Sequence, residues 1–283
     1  MRNTYITVDT PYLCYVAFHG VRGRTGTDAH PATVLLSMLD RVRQTIQQFD
    51  GTHVLFCFDG KPPLHRKTMF RGYKAHRNAA RAEKDPDEIA ALDALRRKLY
   101  DFPAMLSKYG FPVGNMPGYE ADDMLAQAVN EVVESEADPD VILVTSDEDM
   151  FQCLKPGVTF VSPSLKCPAR NGVWLHETYG VTPDQWPRVK AIAGCTSDNI
   201  PGVPGVGNKT AAKYVARTLS TTTKAWHSIE AQLDECKARM PMVRLPWPHA
   251  TLPSDWRLRA WSMPKYHALC AELQAELDIP DQE

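Results

Sequence analysis

Two rhythms of apolar residues alternate along the first half of the chain. Tyr5-Ile6-Thr7-Val8, His53-Val54-Leu55-Phe56-Cys57-Phe58 and Asp140-Val141-Ile142-Leu143-Val144-Thr145 are short, nearly continuous runs that predict β-strands. Between the first two, Val34, Leu35, Met38, Leu39, Val42 and Ile46 recur at helical spacing and predict a helix over residues 32–49. Continuous apolar strands separated by helices imply a parallel sheet covered on both faces. The expected fold class is therefore α/β, with a central, mostly parallel sheet flanked by helices. Each predicted strand is followed within two residues by an aspartate: Asp9, Asp59 and Asp147. One aspartate after a strand is ordinary turn chemistry. Three of them, in a fold whose sites form at the carboxyl ends of strands, predict a shared acidic edge.

Beyond the strands the pattern changes. Residues 61–118 read as a long, partly helical excursion from the sheet. Pro183 to Pro187 marks a boundary, after which helical segments flank the loop from Ile200 to Lys209. After Met240 the chain is rich in Pro and Trp with little periodicity, and an extended tail packing back on the body is expected. The organisation predicted is a domain over 1–185, a helical subdomain over 186–240 and a tail over 241–283.

Composition narrows the class. With 43% hydrophobic residues the chain can fill a core. No apolar run approaches the roughly 20 residues needed to span a bilayer, and the start of the chain is too short and polar for a secretory signal. A cytoplasmic protein is expected. The seven cysteines contain no CxxC pair, which predicts reduced thiols rather than a zinc site or a disulfide frame. Net charge is −2, but the charge is segregated. Lys61, Arg66, Lys67, Arg71, Lys74, Arg77, Arg81 and Lys84 share their stretch with a single acid, Glu83. Such a run is usually a solvated helix face; beside an acidic edge it is also a phosphate-binding surface.

The acids form a constellation: Asp9, Asp59, Glu120, Asp122, Asp123, Asp147, Asp149 and Asp198. Glu120, Asp122 and Asp123 precede an apolar helical run, where the helix dipole favours negative charge. Alone they would be a helix cap, and Asp147 with Asp149 would be a turn. Together they are costly, because two carboxylates at ~4 Å repel by roughly 4 kcal/mol at an effective dielectric near 20. Either the acids do not meet or they bind hard divalent ions, and oxygen-only ligands select Mg²⁺ or Mn²⁺ over zinc.

Five motifs occur in a fixed order: Phe58-Asp59-Gly60; Arg71-Gly72-Tyr73-Lys74-Ala75-His76-Arg77; Gly118-Tyr119-Glu120-Ala121-Asp122-Asp123; Ser146-Asp147-Glu148-Asp149-Met150; and Ser197-Asp198-Asn199-Ile200-Pro201-Gly202 running on to Ala211. This ordered set resembles the 5′ nuclease family: the 5′–3′ exonuclease domain of bacterial DNA polymerase I, bacteriophage 5′ exonucleases and flap endonucleases. The resemblance implies a structure-specific, two-metal nuclease acting on DNA with 5′ flaps, branches or free 5′ ends, here a monomer with no polymerase attached. It implies that Asp9, Asp59, Glu120 and Asp122 hold a first metal ion and Asp123, Asp147, Asp149 and Asp198 a second. Residues 61–118 become a helical arch in which Lys74 and Arg77 contact the scissile phosphate, Arg71 contacts DNA and Tyr73 stacks on a terminal base. Gly205-Val206-Gly207 becomes a helix–hairpin–helix turn that binds duplex by its backbone, with Lys209, Thr210 and Lys213 beside it and a potassium ion within it. The chain departs from the pattern at Cys195, where an acid is common, at Glu148, where a lysine is frequent, and at Val16, where an arginine is frequent. These departures keep two other readings open: a structure-specific DNA-binding protein with weak or lost catalysis, and a related nuclease that removes RNA primers.

Overall fold

The computed structural model describes residues 2–25, 29–60, 64–77, 81, 83–163 and 167–278; Lys61 of the basic run lies outside them. Strands β1 (Tyr5–Asp9), β2 (His53–Cys57), β3 (Val113–Gly114), β4 (Val141–Val144) and β5 (Val158–Val161) form a sheet of order β3-β2-β1-β4-β5. All four pairings are parallel. The three expected strands are its centre. The edge strands β3 and β5 escaped the reading because they are only 2 and 4 residues long and sit in no longer apolar run.

Side chains alternate across the sheet as the pleat requires. Ile6, Val8, Val54, Phe56, Ile142 and Val144 face one layer of helices. That layer contains α1 (Thr10–Thr25), α2 (Pro31–Gln48) and α4 (Pro86–Lys108). α2 starts cleanly: Pro31 occupies its first turn and the His30 ring accepts the Ala32 N–H at 3.2 Å. Its buried stripe of Val34, Leu35, Met38, Leu39, Val42 and Ile46 is the one expected. Tyr5, Leu55, Cys57, Val141 and Leu143 face the opposite layer, dominated by α5 (Ala121–Ser135).

The expectation of an extended tail is corrected in part. Residues 263–277 form a helix, α11 (Met263–Leu277), whose Tyr266, Leu269 and Leu273 are buried against the α2 side of the core. The signal was present in the spacing of Tyr266, Leu269, Leu273 and Leu277, but the preceding prolines and tryptophans obscured it. Each buried leucine there is worth about 1.5–3 kcal/mol. The helical subdomain consists of α7 (Trp186–Ala193), α8 (Asn208–Val215), α9 (Lys224–Ala231) and α10 (Leu233–Val243), preceded by α6 (Gly172–Tyr179). Its hinge to the sheet is Trp186, fully buried between Phe151 and Tyr179, whose indole N–H donates to Glu148 O at 2.6 Å. Among the described residues no helix is long and apolar enough to cross a membrane.

Candidate active site

Parallel pairing puts the carboxyl ends of β1, β2 and β4 side by side, and each delivers an acid. Asp9 is the last residue of β1; its carboxylate accepts Tyr12 N–H at 3.2 Å and the Thr145 hydroxyl at 3.0 Å. Asp59 follows β2, lies exposed, and accepts Ala121 N–H at 2.9 Å. That bond joins the β2 loop to the start of α5, and Gly60 makes the approach possible. A Cβ at Gly60 would fall 1.8 Å from Met116 O, so only glycine fits. Asp147 follows β4 and caps a 3-10 turn by accepting Asp149 N–H at 2.7 Å.

The charges interact as a converged edge must. Burial, then the neighbouring Asp59 charge, pushes the Asp9 carboxyl up to about 7. Burial, then Asp149, pushes Asp147 up to about 6. Asp122 is raised well above the usual carboxylate range by burial, then by Asp147 and Asp9. Four of the expected acids therefore sit within electrostatic reach of one another, on three strand ends and one helix start. The folded chain binds protons at these groups where the unfolded chain, with ordinary pKa values near 4, does not. Stability of the metal-free protein is thus lost as pH rises through about 6 to 7 at Asp147 and Asp9. Thermal melts in chelator should show a higher Tm at a pH near 5.5 than at a pH near 8. Mn²⁺ bound at these oxygens would reverse that order, because it would compete with the protons for them.

The choice posed by the sequence, between acids that stay apart and acids that bind metal, had a further outcome: the chain supplies cations of its own. Arg66, on α3 (Leu64–Met69), forks onto Asp123 with both distances 2.7 Å and reaches Glu120 at 3.1 Å. Lys74 Nζ lies 2.5 Å from Glu120 Oε1 and 3.3 Å from Asp198 Oδ1. Burial alone would discharge this ammonium, but Asp198 and Glu120 outweigh it and raise its pKa. Lys190, on α7, pairs with Asp149 Oδ1 at 2.9 Å. Arg77 donates to Ser197 O at 3.2 Å and to Asp198 Oδ1 at 3.3 Å. Arg66 and Lys190 were not singled out as site residues in the sequence, because a buried partner of an acid has no local signature. Arg71 is exposed at the rim.

Two residues sit elsewhere than the resemblance implies. Tyr73 points inward in the free chain. It is 2% exposed, and its hydroxyl donates to Glu120 Oε2 at 2.5 Å and lies 3.1 Å from Asp198 Oδ2. Asp123 does not face open space with the other acids. It is fully buried, and its oxygens accept from Arg66, from Glu120 N–H at 3.0 Å and from Trp247 N–H at 2.8 Å. It frames the site rather than lining it. Lys74 itself has a left-handed backbone, φ +55, pinned by its N–H to Asp198 O at 2.9 Å. Such a conformation costs a non-glycine residue roughly 1–2 kcal/mol. The free space among Arg66, Tyr73, Glu120, Asp122, Asp149 and Asp198 is about 10 Å³, the room of a single water at most.

Near Lys190, the ligand atoms of Asp149, Cys195 and Asp198 lie within 4.8 Å of one another. Burial, then Asp149 and Asp198, pushes the Cys195 thiol up to about 12. It is a neutral group where the family pattern has a charge. Glu148 accepts from Asn208 Nδ2 at 2.9 Å and so fastens the start of α8 to the Asp147 turn. In the hairpin, Gly205 has φ +75, and a Cβ at Gly205 or Gly207 would meet nothing within 4 Å. Val206, between them, buries its side chain and donates its N–H to Val203 O at 3.0 Å. Lys209 and Lys213 are exposed on α8, with Thr210 between them half-buried.

Comparisons with known proteins identify the family and the fold. A family model described as 5′–3′ exonuclease, N-terminal resolvase-like domain, matches residues 4–180, and one described as 5′–3′ exonuclease, C-terminal SAM fold, matches residues 181–244. Thermostable DNA polymerase I of Thermus aquaticus is 33% identical over 241 residues, which is 84% of this chain and 26% of the polymerase. DNA polymerase I of Mycobacterium tuberculosis (strain ATCC 25618 / H37Rv) is 31% identical over 248 residues, 79% of this chain and 25% of that protein. The chain thus spans about a quarter of the length of these curated relatives. The structure of T5 5′-exonuclease with bound divalent zinc superposes with a TM-score of 0.71 at 20% identity, covering 97% of this chain and 99% of that one. Human GEN1 in complex with Holliday junction DNA gives 0.61 at 18% identity, covering 98% and 68%. At these identities the structures speak for the fold alone. The two matched families run from residue 4 to residue 244 in the expected order, and on them the chain belongs to the 5′–3′ exonuclease family.

Proposed function

We propose that this chain is a divalent-metal-dependent 5′ nuclease that hydrolyses DNA phosphodiesters at 5′ flaps, branches and free 5′ ends. The observation that carries the reading is an imbalance of charge. Among the described residues, the eight acids of the site face four cations, Arg66, Lys74, Arg77 and Lys190. Counted formally, the acids outnumber the cations by four, and the raised Asp9, Asp122 and Asp147 hold protons that a divalent ion would displace. The donor chemistry fits as well. Asp9, Asp59, Glu120, Asp122 and Asp147 offer only oxygen, the preference of Mg²⁺ and Mn²⁺. When bound, such ions supply the charge that activates water and stabilises a leaving oxygen in phosphodiester hydrolysis.

The chain's own residues do the rest. Lys74 and Arg77 stand at the acids' rim and hold a phosphate by charge-assisted bonds that strengthen as charge develops on it. The glycine turn at 205–207 and the start of α8 meet a duplex backbone without reading bases. Domain boundaries near 185 and 240 separate these tasks in this reading. Asp149 and Asp198 take part in a second metal position weakened by Cys195, since a thiol is a poor ligand for hard ions.

Cleavage of a labelled 5′-flap DNA tests the proposal. Short 5′ products are expected with Mg²⁺ or Mn²⁺ and none in chelator. An intact flap at a protein concentration that binds it fully would favour the second reading, a binding protein that has lost catalysis, for which Cys195 is the specific motive. In the same assay Lys74→Ala should lower the cleavage rate on the order of 100-fold, as loss of one group that stabilises transition-state charge does, with flap binding retained. Cys195→Asp should reach half its maximal rate at a lower Mg²⁺ concentration than the natural chain. A labelled RNA 5′ strand in place of DNA distinguishes primer removal.

A further inference from the structure

The Pro- and Trp-rich tail, to which the sequence assigned no task, runs directly behind the carboxylates. Arg66 Nε donates to Met242 O at 3.4 Å, Gln152 Nε2 to Val243 O at 3.0 Å, and Leu245 N–H to Gln152 Oε1 at 2.8 Å. Two residues on, the Trp247 N–H donates to Asp123 Oδ1 at 2.8 Å. The indole ring lies 5.4 Å from the Arg66 guanidinium carbon and stacks on His65 at 5.6 Å and 14°. Residues 242–247 thus touch the root of α3 and the turn that carries Asp149. The matched family ends at residue 244, so the ring comes from outside it.

We propose that Trp247 is a positioning residue for the metal site, acting through Arg66 on Glu120. The proposal rests on the nuclease reading in one respect, that Glu120 is a metal ligand. A guanidinium is planar, and its donors point in fixed directions. Two of those of Arg66 fork onto Asp123, and Nη1 also reaches Glu120 Oε2 at 3.1 Å. Rotation of the plane keeps a contact to Asp123 but swings the donor away from Glu120. The indole face, with the cation above it, braces that plane together with the Nε bond to Met242 O. Without it, Glu120 keeps its capping contact and its bonds to Tyr73 and Lys74, none of which comes from the tail. The tail is then part of the frame that presents Glu120 to a cation.

Mn²⁺ is titrated calorimetrically, without DNA, into the full-length protein stripped of metal. Trp247→Leu keeps apolar bulk and removes the π face; Trp247→Phe keeps a ring over Arg66. The expected result is a loss of Mn²⁺ affinity of roughly 10- to 100-fold in the leucine variant, the range for groups that orient a ligand, and near-natural affinity in the phenylalanine variant. A purely structural role would lower the melting temperature of both and leave the Mn²⁺ affinity of the folded fraction unchanged. A folded leucine variant with natural affinity, or equal losses in both variants, overturns the proposal. Should the leucine variant not fold, Arg66→Lys carries the test: it keeps the charge and loses the plane, and natural Mn²⁺ affinity there also overturns it. Absence of Mn²⁺ binding by the natural chain would instead overturn the nuclease reading itself.

Discussion

Asp147→Ala is expected to cut flap cleavage to roughly a thousandth or less, beyond the 10²–10³-fold that removing a single stabilising donor produces, because a cation-binding acid supports the charge of the whole reaction. Asp147 is central in the electrostatic sense. It raises Asp122 and Asp9 and is itself raised by Asp149 and Asp198, so it lies between the two sets of acids. The substitution loses one cap, the Asp149 N–H bond at 2.7 Å, worth about 1 kcal/mol. It also removes a charge from a crowded edge. The metal-free variant should therefore melt close to the natural protein while being inactive. Single-turnover cleavage and a melt in chelator check both halves. A variant that keeps a tenth of the natural rate would remove Asp147 from the site.

Arg66→Met should do the reverse, acting first on the fold. Arg66 is almost fully buried, with its fork on the buried Asp123. Breaking such a pair leaves an uncompensated buried charge and costs about 3–5 kcal/mol. For a chain of this size that corresponds to a fall in Tm of about 10 °C. Adding Asp123→Leu should recover only part of the loss, since it removes the unpaired charge but leaves the Glu120 and Trp247 N–H groups without their acceptor. Chemical denaturation of the single and double variants measures this. A single variant as stable as the natural chain would mean that Arg66 is not needed to hold Asp123. Activity should fall in both, because Glu120 loses its orienting donor at 3.1 Å in each.

The contrast between these two residues shows what a sequence exposes and what it hides. The central strands were visible because burial on both faces demands continuous apolar runs, and the acids were visible because each ends a strand or starts a helix. The short edge strands and α11 were hidden by length and by neighbouring prolines. Arg66 was visible only as one cation in a basic run. Nothing local distinguishes it from Lys67, which is exposed one position later. The burial of Tyr73 was hidden for a related reason. It lies in a basic run, yet a left-handed Lys74 turns the segment inward, and no pattern of residue types reports that φ. Lys190 is buried in a short helix in another part of the chain, and its pairing with Asp149 follows only from how α7 packs on the Asp147 turn.

The arch segment emerges in a role that the motif did not suggest. Tyr73 and Lys74 fill the space between Glu120 and Asp198, and the remaining free volume is about 10 Å³. The acids are thus partly neutralised from within, by Arg66, Lys74 and Lys190.

Anomalous diffraction from crystals soaked in Mn²⁺ tests the central claim most directly. The account predicts a strong peak among the oxygens of Asp9, Asp122 and Asp147, with the Lys74 ammonium withdrawn from Glu120. Full occupancy of the crystal by Mn²⁺ elsewhere, with no peak at these oxygens and Lys74 still seated between Glu120 and Asp198, would contradict it.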